Sequence, residues 1–507
     1  MSFAPAFKKL VDLVDRGPED EDFTPFDSNQ TIFRREWPRY HNCASEITEV
    51  GYQGNAAWGE QITVRLTRQE CGDMLQWVAL RFQPASWLGA DLESKLFSGL
   101  WSYGDPSGAW MWASALGCLA IRRVSFEIND VIVENWDQEW FDIWSRSDLD
   151  AGRTAIWDVD FNGRLPVTVL EDTSRPPATT FLPTEDGWIT CWLPLSFFRR
   201  PELAFPLISI GDTTEVRMRI WFNDFERVVR KRAVARTSSV EVPLGTEILL
   251  IDNSGPTPVP SYYKLPSTVP RFKNFSIYCG SVMLEDPLRD KYLRLPFEML
   301  YEPVTTVRYT VEPGLLANVQ TGATVPLSIP LLELNGPIRS LIWFFRRKSV
   351  WQFNEFTNYG TLLEPQLVQT IQSQQARQSA VVPSAIQYPI MASARLMVGN
   401  AVWREDSEQW WRQDYGLDHR GGVRITRGFV YGYDFELPDA GNTLQPRGTV
   451  NASRTDIRLD MEIIPPAFTT PDACADPTGN GVEVVIIGIG FNWMRFVNGL
   501  AQPLFRD

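Results

Sequence analysis

Charged and apolar residues alternate strictly over Glu215-Val216-Arg217-Met218-Arg219-Ile220, which predicts a β-strand with one face in a core and the other in water. The same period recurs at Ile62–Leu66 and at Val124–Ile128, the latter running into a turn at Asn129-Asp130. In the second half, strands are predicted over 247–251, 275–278, 306–310, 338–345, 395–398, 429–437, 456–463 and 482–489. Helical periodicity is confined to short pieces. Phe7, Leu10, Val11 and Val14 fall at i, i+3, i+4 and i+7 ahead of Gly17-Pro18, and that stripe is too short to bury itself, so it should dock on the body or on a neighbouring subunit. Trp136, Trp140, Phe141 and Trp144 fit a short aromatic helix. Alternation lapses over 223–245, a stretch rich in charge and small polar residues that reads as a connection. The resulting division is an arm (1–45), a first β-unit (46–222), a linker (223–245) and a second β-unit (246–507).

Between Trp188 and Phe222 the apolar residues are interrupted by Pro194, Pro201 and Pro206. Each fixes φ and removes a backbone donor, so the segment should break into strand, turn and strand with no helix. Phe197, Phe198, Phe205 and Leu207 provide the apolar area to dock this connection on a sheet.

Composition agrees with many strands joined by long structured loops: 12% aromatic, with 36 Pro and 34 Gly in 507 residues, a length that suits two β-sandwich domains. A formal charge of −14 argues against a broad phosphate contact, and the basic run Arg227–Arg232 reads as a solvated or partner-facing patch. Cys43, Cys71, Cys118, Cys191, Cys279 and Cys474 form no C-x-x-C pair and are expected to be free thiols of a protein made in a reducing compartment. No apolar run approaches the length of a spanning helix, and the amino-terminal residues lack a secretory pattern, so a soluble, conventionally unsecreted chain is expected.

Several segments resemble one family. The run from Leu193 to Ile210, with Pro194, Phe197, Phe198, Pro201, Pro206 and Leu207, is similar to the major capsid proteins of nucleocytoplasmic large DNA viruses. So are 120–144, the Asn335-Gly336-Pro337 entry to a strand, the turn bearing Asn451, Ser453, Arg454 and Asp456, and the closing run 482–496. The resemblance implies an all-β fold of two tandem eight-stranded jelly-roll barrels with long loops and few short helices. It further implies a homotrimer whose pseudo-hexagonal capsomers contact neighbouring capsomers and minor capsid and penton proteins in an icosahedral shell, with room for an internal membrane beneath it. The protein would be made in the host cytoplasm and reside in the virion capsid. No internal sequence repeat is visible, and the glutamine-rich stretch 366–378 has no role in this reading.

The residues for catalysis are sparse. His41 and His419 are the only histidines, and no phosphate loop, zinc motif or nucleophile elbow is present, so no cofactor, metal or direct nucleic-acid contact is expected. Glu408, Asp414 and Asp418 near Trp410 and Trp411 are the one cluster that fits an alternative, a carbohydrate-binding or glycoside-processing β-sandwich. Such carboxylates more often pair with arginines like Arg404, Arg412 and Arg420. Trp410 and Trp411 are expected at subunit contacts.

Overall fold

The computed structural model describes residues 42–85, 95, 98, 100–103, 110–113, 115–147, 188–231, 247–264, 271–316, 323–348, 350, 354, 356–360, 389–414, 429–435, 448–464 and 481–505. Residues 1–42 separate as a unit of their own, and the rest of the chain forms the other. Phe7, Leu10, Val11, Val14, His41, His419, Asp418, Cys474 and the stretch 366–378 lie outside the described residues.

In the first half, two antiparallel sheets are built on β1 (Cys43–Glu49), β2 (Gln61–Arg65), β3 (Met74–Pro84), β4 (Ile121–Ile128), β5 (Val131–Asp137), β6 (Ile189–Trp192), β7 (Val216–Phe222) and β8 (Phe272–Leu284), and the short pieces Tyr52–Gly54 and Phe205–Pro206 pair with β2 and β3. One sheet runs β1-β8-β3-β6 and the other β2-β7-β4-β5. Their inner faces meet because alternate side chains point the same way: Leu80 and Phe82 from one sheet join Val64, Phe126, Met218 and Ile220 from the other in a single core. The alternation of β7 is realised residue by residue, buried at Val216, Met218, Ile220 and Phe222.

The second half repeats this order. Strands β9 (Val304–Val311), β10 (Val325–Pro330), β11 (Pro337–Arg347), β12 (Met391–Val398), β13 (Ala401–Ser407), β14 (Val430–Asp434), β15 (Ile457–Ile463) and β16 (Val482–Gly490) pair as β9-β16-β11-β14 and β10-β15-β12-β13. Each half is therefore a jelly roll, and the duplication that no sequence repeat reveals is plain in the strand order. Trp343, Phe345, Val484 and Ile486 face Leu396, Leu459 and Met461 in a second core.

The central strands β16 and β11 of the sheet β9-β16-β11-β14 are buried on both faces. Val484 and Ile486 enter the second core, whereas Val485, Ile487 and Ile489 join the first. A strand covered on both sides has no wet face, which is why Val482–Gly490 reads as one continuous apolar run.

Four expectations are corrected by the pairing. The second barrel does not begin near residue 246: strand 247–252 pairs with 259–264 and with 101–103, and β8 closes the first barrel between β1 and β3. The basic run 227–232 does not open a free linker, since Phe225–Val228 is a helical turn and Val229–Lys231 pairs with Trp110–Trp112. Helical turns do survive among the prolines, at Ser196–Arg199, Pro201–Leu203 and Leu207–Ser209. There the proline donor is dispensable, because the first residues of a helical turn have no intrahelical acceptor to bond. Finally, β10 and β13 are strands that alternation missed. Both lie at sheet edges; β10 carries Pro326 and Pro330, and β13 is exposed along almost its whole length.

Candidate functional site

Helix α1 (Gln138–Ser147) follows β5 without a break, and its residues 138–146 are buried all round, although they include Gln138, Glu139, Asp142 and Arg146. It lies between the two barrels. A helix this polar can be buried there only if each charge finds a partner. Glu139 accepts from Arg346 at 3.1 Å and from Arg308 at 2.8 Å, both on the second barrel, and Arg346 also reaches Glu483 at 2.8 Å. Burial works to raise the pKa of Glu139, but Arg346 and Arg308 outweigh it and hold the carboxyl below its ordinary value. One turn on, the Tyr359 hydroxyl donates to Asp142 at 2.6 Å, and the Arg146 guanidinium lies 4.9 Å from the Tyr359 ring centre.

A second ionic group sits beside the proline-rich segment. The carboxylate of Glu302, just ahead of β9, takes Arg199 at 3.2 Å and also Arg339, while its backbone N–H donates to the Ser196 hydroxyl at 2.6 Å. The Ser196 N–H in turn donates to both oxygens of Glu134 on β5, at 2.8 and 3.1 Å. Phe197 stacks on Tyr301 with ring centres 5.5 Å apart. The segment expected to dock on a sheet thus also ties one barrel to the other.

Glu134 is the odd member of this group, because burial pushes its pKa up to about 7, only partly offset by Arg199 and the Ser196 N–H. Between pH 4.5 and 7 the folded protein holds a proton that the unfolded chain has lost, so this group's contribution to stability falls as pH rises through that window. Glu134→Gln keeps an oxygen acceptor and removes the buried charge. It is expected to gain about 1–3 kcal/mol over the wild type at pH 8. The gain should shrink toward pH 5, and melting curves across that range would refute the assignment if the difference did not depend on pH.

The remaining predicted residues divide clearly. Phe197, Leu207 and Pro206 are buried, Pro194 is buried, Phe198 is half-buried, and Pro201 is exposed at the start of its turn. Asn335-Gly336 and the 451–456 turn, distant in sequence, meet: the Ser453 hydroxyl accepts from the Gly336 N–H at 2.8 Å, and Ala452 N–H donates to the Gly336 carbonyl at the same distance. Gly336 has φ +70°, a conformation that favours glycine. Asn451 caps its own turn, its side-chain oxygen accepting from Ser453 N–H at 3.1 Å, while Arg454 and Asp456 are exposed.

Trp411 is not at a surface. It is 1% exposed, donates from Nε1 to the Ala394 and Asp406 carbonyls, and packs 5.2 Å from Trp343 in the second core. Trp410 is half-buried with Arg404 3.9 Å over its ring. Glu408 binds Arg412 at 2.6 Å and accepts from Tyr431, so this member of the acidic cluster is engaged in structural pairs. Among the described residues, no group of three or more His, Cys, Asp or Glu could hold a metal, no helix is long and apolar enough to cross a membrane, and Cys43, Cys71, Cys118, Cys191 and Cys279 form no disulfide.

Sequence reasoning missed Glu139, Arg308, Arg346, Glu302, Arg199 and Glu134. The available signal was Arg346-Arg347 following the apolar run Leu341–Phe345, since charges in a doubly covered strand require buried partners.

Residues 31–255 match the family described as major capsid protein N-terminus. No curated protein sequence matches the chain. Among solved structures, VP54 of PBCV-1, from a crystal structure fitted into a reconstruction of the virophage Sputnik, is similar with a TM-score of 0.61 at 16% identity, over 94% of this chain and 100% of that one. The Faustovirus major capsid protein follows at 0.60 and 11% identity, over 95% and 94%. A chain of the Sputnik virophage is similar at 0.50 and 10% identity, over 96% and 92%.

Proposed function

We infer that this chain, a double jelly-roll major capsid protein by its N-terminal family match and its fold, serves as the wall unit of an icosahedral viral shell, and that three copies form one pseudo-hexagonal capsomer. The observation that carries this reading is the repeated strand order, 1-8-3-6 against 2-7-4-5, in both halves. Two like barrels per chain give a trimer six similar lobes, so a single gene product can pack hexagonally while keeping threefold symmetry. The ionic seam supports it further, because a lobe that tilted on its neighbour would spoil that packing.

The strand pairing supports a first jelly roll ending at Leu284 and a second running from β9 to β16. Synthesis in the host cytoplasm, minor capsid and penton partners and an underlying membrane belong to the same reading. The net charge of −14 supports a wall over a genome-binding layer. Light scattering on the purified chain tests the core of it. A concentration-independent mass near three times 57.8 kDa is expected, and a monomer at every concentration would overturn the trimer.

A further inference from the structure

Inside one chain, the barrels join by a contact between unlike surfaces: α1, which follows β5, lies against the outer face of the sheet β9-β16-β11-β14. Each of these two surfaces has a counterpart that the internal contact does not use. The outer face of β1-β8-β3-β6 occupies the matching place in the first barrel. The helical turn Trp410–Asp414, which follows β13, is the counterpart of α1. The correspondence holds by residue, since Trp140 lies nine positions past Val131 and Trp410 nine past Ala401, the first residues of β5 and β13 (140 − 131 and 410 − 401).

The unused sheet face is built for contact. The Trp77 indole lies against Gly280, where an added Cβ would sit 2.1 Å from it, so the glycine leaves room for the ring on the sheet. Trp192 packs against it with ring centres 4.4 Å apart, Tyr278 adjoins in the same row of the sheet, and Ile47 is 68% exposed opposite Gly280. In the second barrel, the matching outer face carries Ile342, Phe344, Val485 and Ile487, all covered. An apolar face half-open in one barrel and fully covered in its twin marks a contact that another molecule completes.

We propose that the outer face of β1-β8-β3-β6, centred on Trp77, receives the Trp410–Asp414 turn of a second copy, repeating between chains the contact made within each. The proposal rests on the trimeric reading and assigns its interface. A contact between unlike surfaces generates either a ring or an open filament. In the trimer the ring closes over six barrels, and no face is left over.

The test uses the full chain and its mass against concentration. Trp77→Glu and Trp410→Glu, each verified as folded by its melting curve, are expected to raise the concentration needed for trimers by at least about tenfold. Ile47→Glu, at a residue already exposed in the single chain, should do the same without straining the fold. An equimolar mixture of Trp77→Glu and Trp410→Glu should form one-to-one dimers, because each pair retains one intact face and one intact turn. Variants that assemble like the wild type would place the contact elsewhere and leave the trimer standing, and a mixture no more associated than its parts would overturn the pairing of unlike surfaces. A monomeric wild type would remove both this proposal and the reading beneath it.

Discussion

Arg346→Met is expected to destabilise the protein by about 3–5 kcal/mol, although it preserves most of the side chain's apolar length. The guanidinium is 1% exposed and bridges Glu139 of α1 to Glu483 of β16. Its own pKa is raised: burial opposes the charge, but Glu139 and Glu483 outweigh that effect. Removing it leaves Glu139 with Arg308 alone and Glu483 without this partner in a seam that water does not easily enter, and an uncompensated buried charge costs more than a lost pair contributes. The pH dependence gives a second readout. Because the folded pKa of Glu139 is depressed, the wild type draws stability from it above the ordinary carboxylate value and loses that stability as pH falls. The variant's deficit should therefore be largest near neutrality and narrow in acid. Adding Glu139→Gln to the variant should recover part of the loss. Urea unfolding of the single and double variants decides the matter, and a deficit below about 1 kcal/mol at pH 7 would show the lattice to be incidental.

Phe197→Ala should cost a similar amount, about 3–5 kcal/mol, by a different route. The ring is fully buried and touches Phe126 (5.4 Å), Phe205 (5.1 Å) and Tyr301 (5.5 Å). Two of these belong to the first barrel and the third precedes β9, so the cavity would open where the barrels join. Phe197→Leu, which refills most of the volume, should lose only about 1–2 kcal/mol. Equal losses for the two substitutions would argue that ring shape, rather than filled volume, holds the joint.

Much of the architecture could be read from the chain because jelly-roll strands with one wet face leave a period of two. β7 shows it most clearly, and β15 repeats it with buried Ile457, Leu459, Met461 and Ile463. Where the period failed, the cause was physical. β8 carries a half-buried outer face and a register shift at Gly280/Ser281, which blurs its alternation, and the excursion through 247–264 separates it from β7. It was therefore assigned to the wrong barrel. β13 buries neither face and so carries no pattern at all. The proline-rich motif was legible as an ordered connection, but its role in joining barrels was not, since Ser196 and Phe197 act through Glu302 and Tyr301, about a hundred residues later. Trp411 was misplaced for a related reason: tryptophans among acidic residues read as a surface loop, and only the fold turns this one inward toward Trp343.

The closing of the first barrel by β8 bears on how the chain is made. Among the described residues, β1 hydrogen-bonds to β8 and to no other strand. This strand, the first of the described ones to leave the ribosome, therefore waits for residue 284 before it can pair. At roughly 5–20 residues per second that wait is on the order of tens of seconds. For that interval the nascent chain presents an open strand edge beside other growing copies of itself, and its mostly exposed pattern, with Ile47 the lone large apolar residue, limits what a premature partner could gain.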